Sequence, residues 1–337
     1  MTLQAFPGRL IHVDAPESEQ CRNYLIRKLE PVTNLNPNTW QHIFAESGAV
    51  PHSLRGMALG QLQHLEAVFV RTGWLSARCE SFNAENAHAI AKGTKFLYAL
   101  DTFVVTPMSK PGMCGAREHD EQQTIAEAHG ISFFSQLVNP FGLFVHCFVS
   151  HFWGHNFTST VTALELWADA NYDKLTSEKE ALVFWICLFA LNQHDVAEEV
   201  GENPQQGPFN AALAQATGGA VMVLDEEVKP FSRIWCLFEA SRLKDLQRPF
   251  ELICSEGSLS QPENGGHKAV STKMLQDTCQ ALWNVSTAKA ESSVAKDKSF
   301  FMSCGDFVRR WLLVAEWQTL NLCSFLLQNH VNATAVC

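Results

Sequence analysis

The chain has 337 residues, of which 46% are hydrophobic and 18% charged, with a formal net charge of −10. That balance supplies a packed core and excludes general disorder. The acidic surplus and the lack of any long basic run exclude a partner held by phosphate neutralisation, so no nucleic acid is expected. Length alone fits two domains, or one large domain with extensions.

Eleven cysteines are scattered from Cys21 to Cys337 with no C-x-x-C pair. Cys147, Cys187 and Cys254 sit inside apolar runs. Buried thiols in a reducing, cytoplasmic setting explain this better than a disulfide framework. The opening stretch MTLQAFPGRLIHVDAPESEQ lacks the basic-then-apolar order of a signal peptide. The longest apolar run, residues 181–191, falls short of the about 20 residues that a membrane span needs. No membrane partner is therefore expected. The N-x-S/T sequons at Asn156, Asn284 and Asn332 read as chance matches in such a setting.

In chain order, residues 1–140 read as a mainly helical region of unknown role. Leu54, Met57, Leu62, Leu65 and Phe69 recur close to the helical period, which predicts a helix over 54–70. A second helix is expected over 85–100. Residues 110–123, KPGMCGAREHDEQQ, are polar and glycine-containing and read as a loop. Glu118, His119 and Asp120 within it are adjacent and cannot easily share one ion, so no metal site is expected.

From Gly142 the texture changes, and residues 141–285 read as an α/β domain. GLFVHCFVS and ALVFWICLFAL are continuous apolar runs suited to strands buried on both faces. GGAVMVLD and PFELICS read as two further strands. Helices are expected over 158–170, 208–217, 230–246 and 271–283, with Ser232 as an N-cap of the third. Residues 286–337 read as a polar connector and then, after Ser299, a long apolar helix that covers the core or mediates self-association.

Strands alternating with helices imply a parallel sheet with helices on both faces. Ligands of such sheets bind beyond the carboxyl ends of the strands. Residues 150–154, 192–195 and 225–227 all follow strand ends and would gather on that edge. No G-x-G-x-x-G, G-x-x-x-x-G-K-S/T or G-x-S-x-G pattern occurs, which argues against dinucleotide oxidoreductases, P-loop enzymes and hydrolases of those types. His151 and His155 are four apart, but on a strand end and turn, so the helical two-histidine zinc argument fails.

Four segments, FVSHFWG, FWICLFALNQHD, GGAVMVLD and SRIWCLFEASRL, resemble in their order and spacing the Toll/interleukin-receptor (TIR) superfamily. The S-x-x-W-C-x-x-E piece from Ser232 to Glu239 is the most specific. The first two segments also resemble the opening motifs of heterokaryon-incompatibility (HET) domains. The resemblance covers about residues 142–255 and implies a flavodoxin-like fold. In enzymatic members of the TIR superfamily a glutamate at the position of Glu239 supports cleavage of the nicotinamide–ribose bond of NAD. NAD would then be a substrate, with no resident cofactor. Trp235 would stack on a nucleotide ring or shape the pocket, and Ser150, His151, Trp153 and Gly154 would meet phosphate or ribose. Asn192, Gln193, His194 and Asp195 would complete the site. The chain departs from HET domains in having Cys187 where they carry an aspartate. It departs from typical TIR domains in offering Asp195, at a shifted position, as the acidic residue near the second strand's end.

Packing alternatives stand beside these roles. Glu239 could be an exposed carboxylate paired with Arg242 or Arg233, and Trp235 and Cys236 could pack in the core. His151 could bond a carbonyl, and residues 192–195 could bond one another. Three readings follow: an intracellular signalling protein that hydrolyses NAD, a non-catalytic module that assembles through its TIR-like surfaces and the C-terminal apolar helix, and a HET-like effector of undefined activity.

Overall fold

The computed structural model describes residues 2–4, 10–12, 50–85, 97–109, 133–139, 141–201, 203–259, 270–285 and 289–291. The loop expected at 110–123, with Glu118, His119 and Asp120, and the apolar helix expected after Ser299 lie outside them. So does most of the helix expected over 85–100.

Strands β1 (Thr2–Gln4) and β2 (Leu10–His12) form a separate antiparallel hairpin. The main sheet has six strands: β3 (Met57–Ala58), β4 (Cys147–His151), β5 (Val183–Ile186), β6 (Ala220–Val223), β7 (Phe250–Cys254) and β8 (Gly257–Ser258). Their spatial order is β3-β5-β4-β6-β7-β8. The four central strands are parallel, as expected, but β3 and β8 run antiparallel at the two edges, so the sheet is mixed. Flanking helices make the molecule α/β. The described helices are α1 (Leu59–Leu65), α2 (Trp74–Glu85), α3 (Leu97–Leu100), α4 (Thr106–Met108), α5 (Phe134–Val138), α6 (Phe157–Leu175), α7 (Cys187–Ala190), α8 (Val196–Val200), α9 (Pro208–Gln215), α10 (Ile234–Asp245) and α11 (Thr272–Trp283). None of them is long and apolar enough to cross a membrane.

The period-two alternation of the central strands sorts their side chains onto two faces. Phe148, Trp185, Met222 and Leu252 pack with Phe209 of α9, Leu237 of α10 and Leu275 of α11. Val149, Phe184, Val221 and Ile253 pack on the other face with Leu164 and Trp167 of α6 and with Leu62 and Leu100 from the N-terminal helices. Both faces are covered, which is why these strands read as unbroken apolar runs. Phe148 and Trp185, on adjacent strands, stack with centroids 4.9 Å apart.

Three expected elements differ. The helix expected over 54–70 is broken into a 3₁₀ turn (His52–Leu54), β3, α1 and a π-helical turn (Glu66–Arg71). Met57 therefore lies on a strand. Gly56 permits the close approach: a Cβ there would stand 2.2 Å from Val183 Cγ1. The run ALVFWICLFAL is a strand only over β5 and then turns into α7, because Leu188 and Phe189 both bury on one face, which a strand cannot arrange. Ser232 is not the cap of α10. It closes a 3₁₀ turn (Lys229–Ser232), its hydroxyl donating to the Lys229 carbonyl at 2.8 Å, and α10 starts from Arg233.

The chain leaves β4 through α6 on one face and leaves the adjacent β6 through α10 on the other. The carboxyl ends of β4 and β6 are therefore the switch point of the topology, the place where parallel sheets receive ligands.

Trp185 is wholly buried, and its indole N–H donates to the His52 carbonyl at 2.8 Å. Trp185→Ala is expected to cost about 3–5 kcal/mol by transfer and cavity terms. Urea denaturation reads this as a lower midpoint; a midpoint equal to the wild type would contradict the assigned core.

Candidate functional site

Strand β4 ends at Ser150 and His151, and the alternation sends these neighbours to opposite faces. Ser150 lies on the face covered by α10. On that helix Cys236 and Glu239 are three residues apart and share a side. Glu239 is only 5% exposed, and its Oε2 has no hydrogen-bond partner among the described residues. Burial pushes the carboxyl up to about 8, and the nearby Ser150 hydroxyl offsets a little of that rise. The offset reflects proximity rather than a formed bond, because Ser150 Oγ is itself buried and unpartnered.

Two thiols complete this environment. Cys187, immediately after β5, is pushed up to about 12 by burial first and by Glu239 second. The Trp153 indole N–H donates to its sulfur at 3.1 Å and pulls the other way. Cys236 is raised by the same two causes, and its Sγ donates to the His151 carbonyl at 3.5 Å. Both are therefore neutral thiols and poor nucleophiles. Among the described residues no arginine pairs with Glu239. Arg242 goes to Asp245 (2.8 Å) and to Asn210 (3.0 and 2.9 Å), while Arg233 reaches Glu291 at 3.5 Å and lies over the Phe152 ring. The exposed, arginine-paired Glu239 weighed from the sequence is not what forms.

On the opposite face, His151 Nδ1 lies 3.3 Å from the Val149 carbonyl and Nε2 has no partner among the described residues. His155 Nδ1 lies 3.0 Å from Thr160 Oγ1. Burial lowers both imidazoles to about 4, with the neighbouring His151 adding to the effect at His155. The turn between them needs Gly154, since a Cβ there would stand 2.3 Å from the Phe152 ring.

The polar group at 192–195 is largely satisfied within itself. Asn192 Oδ1 accepts from the His194 N–H at 3.0 Å, and Asp195 caps α8 by accepting from Glu198 N–H at 3.3 Å. Asn192 N–H donates to Glu199, which also pairs with the buried Arg55. Only Gln193 reaches toward Glu239's surroundings, donating to the Cys187 and Leu188 carbonyls at 3.1 and 2.9 Å. Trp235 stacks on Phe209 at 4.8 Å and meets Phe238 edge-on at 5.9 Å. Its ring is thus engaged by protein.

The fold therefore gathers Glu239, Ser150, Trp153 and Gln193 around Cys187. It places His151 and Gly154 around the β4 turn, Trp235 against α9, and Asn192, His194 and Asp195 in a surface turn. Tyr98, whose ring lies 5.7 Å from that of Trp153, joins the site from a segment without any motif. Among the described residues no group of three or more His, Cys, Asp or Glu is placed to hold a metal ion. A carboxyl with a raised pKa at a strand-end switch point can donate a proton at neutral pH and accept one above it, the pattern found at catalytic carboxyls. No protein-family model matches the chain, and neither a curated protein nor a solved structure matches it significantly.

These groups set opposing pH limbs. The imidazoles of His151 and His155 fall from 6.5 to about 4 on folding, so their contribution is present above pH 6.5 and is lost as pH falls toward 4. The Glu239 carboxyl rises from 4.5 to about 8, so its contribution is present below 4.5 and is lost as pH rises to about 8. Between 4.5 and 6.5 two imidazoles outweigh one carboxyl; above 6.5 the carboxyl dominates. From these groups stability should be highest near pH 6.5 and fall as pH rises toward 8. Glu239→Gln should flatten the alkaline limb and keep the acid one. Denaturation midpoints across pH measure this, and parallel curves for the two proteins would refute it.

Proposed function

We propose that this chain is a TIR-like signalling protein of flavodoxin-like fold in which Glu239 supports hydrolysis of the nicotinamide–ribose bond of NAD. The single observation carrying the reading is the buried, unpaired Glu239 carboxyl beside Ser150 at the end of β4. Three further features support it. In the parallel core the second strand lies beside the first, then the third and fourth, which is the flavodoxin-like order. The switch point of the topology lies between the first and third of these strands. The W-C-x-x-E segment sits on the helix after the third.

The chemistry explains why a desolvated carboxyl is useful. As the N-glycosidic bond breaks, nicotinamide leaves with the bonding electrons and the ribose becomes oxocarbenium-like. An ionised carboxylate stabilises that cation. Water then adds at the anomeric carbon and its proton passes to solvent. At pH 7 roughly a tenth of Glu239 is ionised in the ligand-free protein, given a pKa of about 8. The nicotinamide ring of NAD is itself cationic, and its approach would favour the carboxylate. Binding and activation of the acid are thereby coupled.

A second reading, a non-catalytic module that self-associates, is favoured by one observation. Residues 192–195 bond one another and Trp235 packs on Phe209, so much of the expected ligand edge is already occupied by protein.

Purified protein at high concentration should release nicotinamide from NAD, and Glu239→Gln should reduce the rate at least 100-fold. Below pH 8 kcat/KM should rise about tenfold per pH unit and then level, since it reports the free enzyme's carboxyl. No turnover by concentrated wild-type protein at pH 8.5 would defeat the enzyme reading in favour of the module.

A further inference from the structure

The segment 97–109 crosses the carboxyl ends of β4 and β5 and is fastened to both turns that follow them. At one end, Leu97 N–H donates to the His155 carbonyl at 3.3 Å and Tyr98 N–H donates to the Trp153 carbonyl at 3.1 Å. The Tyr98 ring meets Trp153 edge-on at 5.7 Å and Phe152 at 6.3 Å. At the other end, Ser109 Oγ lies 3.3 Å from His194 Nε2. Trp153, held from above by Tyr98, holds Cys187 from below through its indole N–H. The segment thus lies against the Trp153 turn and His194, next to the Cys187 that adjoins Glu239.

We infer that residues 97–109 form a cover over the ligand edge that opens as a unit smaller than the whole fold, and that this opening admits ligand to Glu239. The inference rests on the site reading above. Glu239 is 5% exposed, so nothing the size of a nucleotide reaches it while the cover is in place. Leu97, Leu100, Val104, Val105 and Met108 are all buried, so the closed form dominates at rest. One feature favours local rather than global opening. The cover's middle, Asp101–Val105, is a π-helical turn between the short helices α3 and α4, a wide and weakly bonded geometry often found at functional sites.

Cys187 beside the cover, free and partly exposed, and Cys147 in the centre of the sheet, free and fully buried, provide probes of the edge and of the core. Maleimide labelling of the full chain in urea below the main transition, with each site read by peptide mass spectrometry, tests the inference. Cys187, already partly exposed, sets its own baseline rate, and that rate should depend less steeply on urea than the rate at Cys147. Tyr98→Ala should raise the Cys187 rate about tenfold further with Cys147 unchanged, whereas Tyr98→Phe should behave as wild type. Equal urea slopes at the two cysteines of the wild-type protein would overturn the cover, whether or not the alanine variant folds. A shallower urea slope at Cys187 in a protein that leaves NAD intact would retain the cover and remove the NAD reading, so the two claims fail separately.

Discussion

Removing one carboxyl from water organises this molecule. Glu239 is enclosed by Ser150, Cys187 and Cys236, none of which brings positive charge. Desolvation of an unpaired carboxylate is costly enough that the group keeps its proton instead. Burial also keeps both neighbouring thiols neutral, and an ionised Glu239 would oppose their ionisation further. The same burial makes the group a stability liability as pH rises from 4.5 to about 8.

The sheet determines which residues share that environment. Four parallel strands, covered on both faces, alternate strictly between two cores. At the end of β4 this alternation separates Ser150 from His151 by the thickness of the sheet, although they are neighbours in sequence. Ser150 faces Glu239, and His151 faces His155 and the N-terminal helices. The glycine at 154 then folds Trp153 back so that its indole reaches Cys187. A short polar stretch thus serves two faces at once, one holding a proton at neutral pH and the other holding neutral imidazoles.

Much of this was legible in the sequence. Continuous apolar runs ending in polar residues identified the central strands, because strands buried on both faces carry no polar alternation. The W-C-x-x-E spacing placed Cys236 and Glu239 on one side of a helix. What the sequence hid depends on tertiary contacts. Met57 carries a helical spacing, yet Gly56 lets the chain approach Val183 and pair as a strand. Cys187 looked like one more apolar residue in a run, whereas its position at the β5–α7 junction places it against Glu239. Residues 192–195 bond one another locally, but the tie of Asn192 through Glu199 to Arg55 depends on a segment more than 130 residues away. Tyr98 belongs to a stretch with no motif at all, and only the fold brings it to the Trp153 turn.

The most direct test of the central claim is the titration of Glu239 itself. Carboxyl-¹³C glutamate labelling, with Glu239→Gln used to assign the resonance, would follow its ionisation in the intact protein. The account requires a midpoint near 8, displaced upward by burial. A midpoint near the ordinary 4.5 would mean that the carboxyl is hydrated or paired, and the buried neutral acid at the strand-end switch point would have to be abandoned.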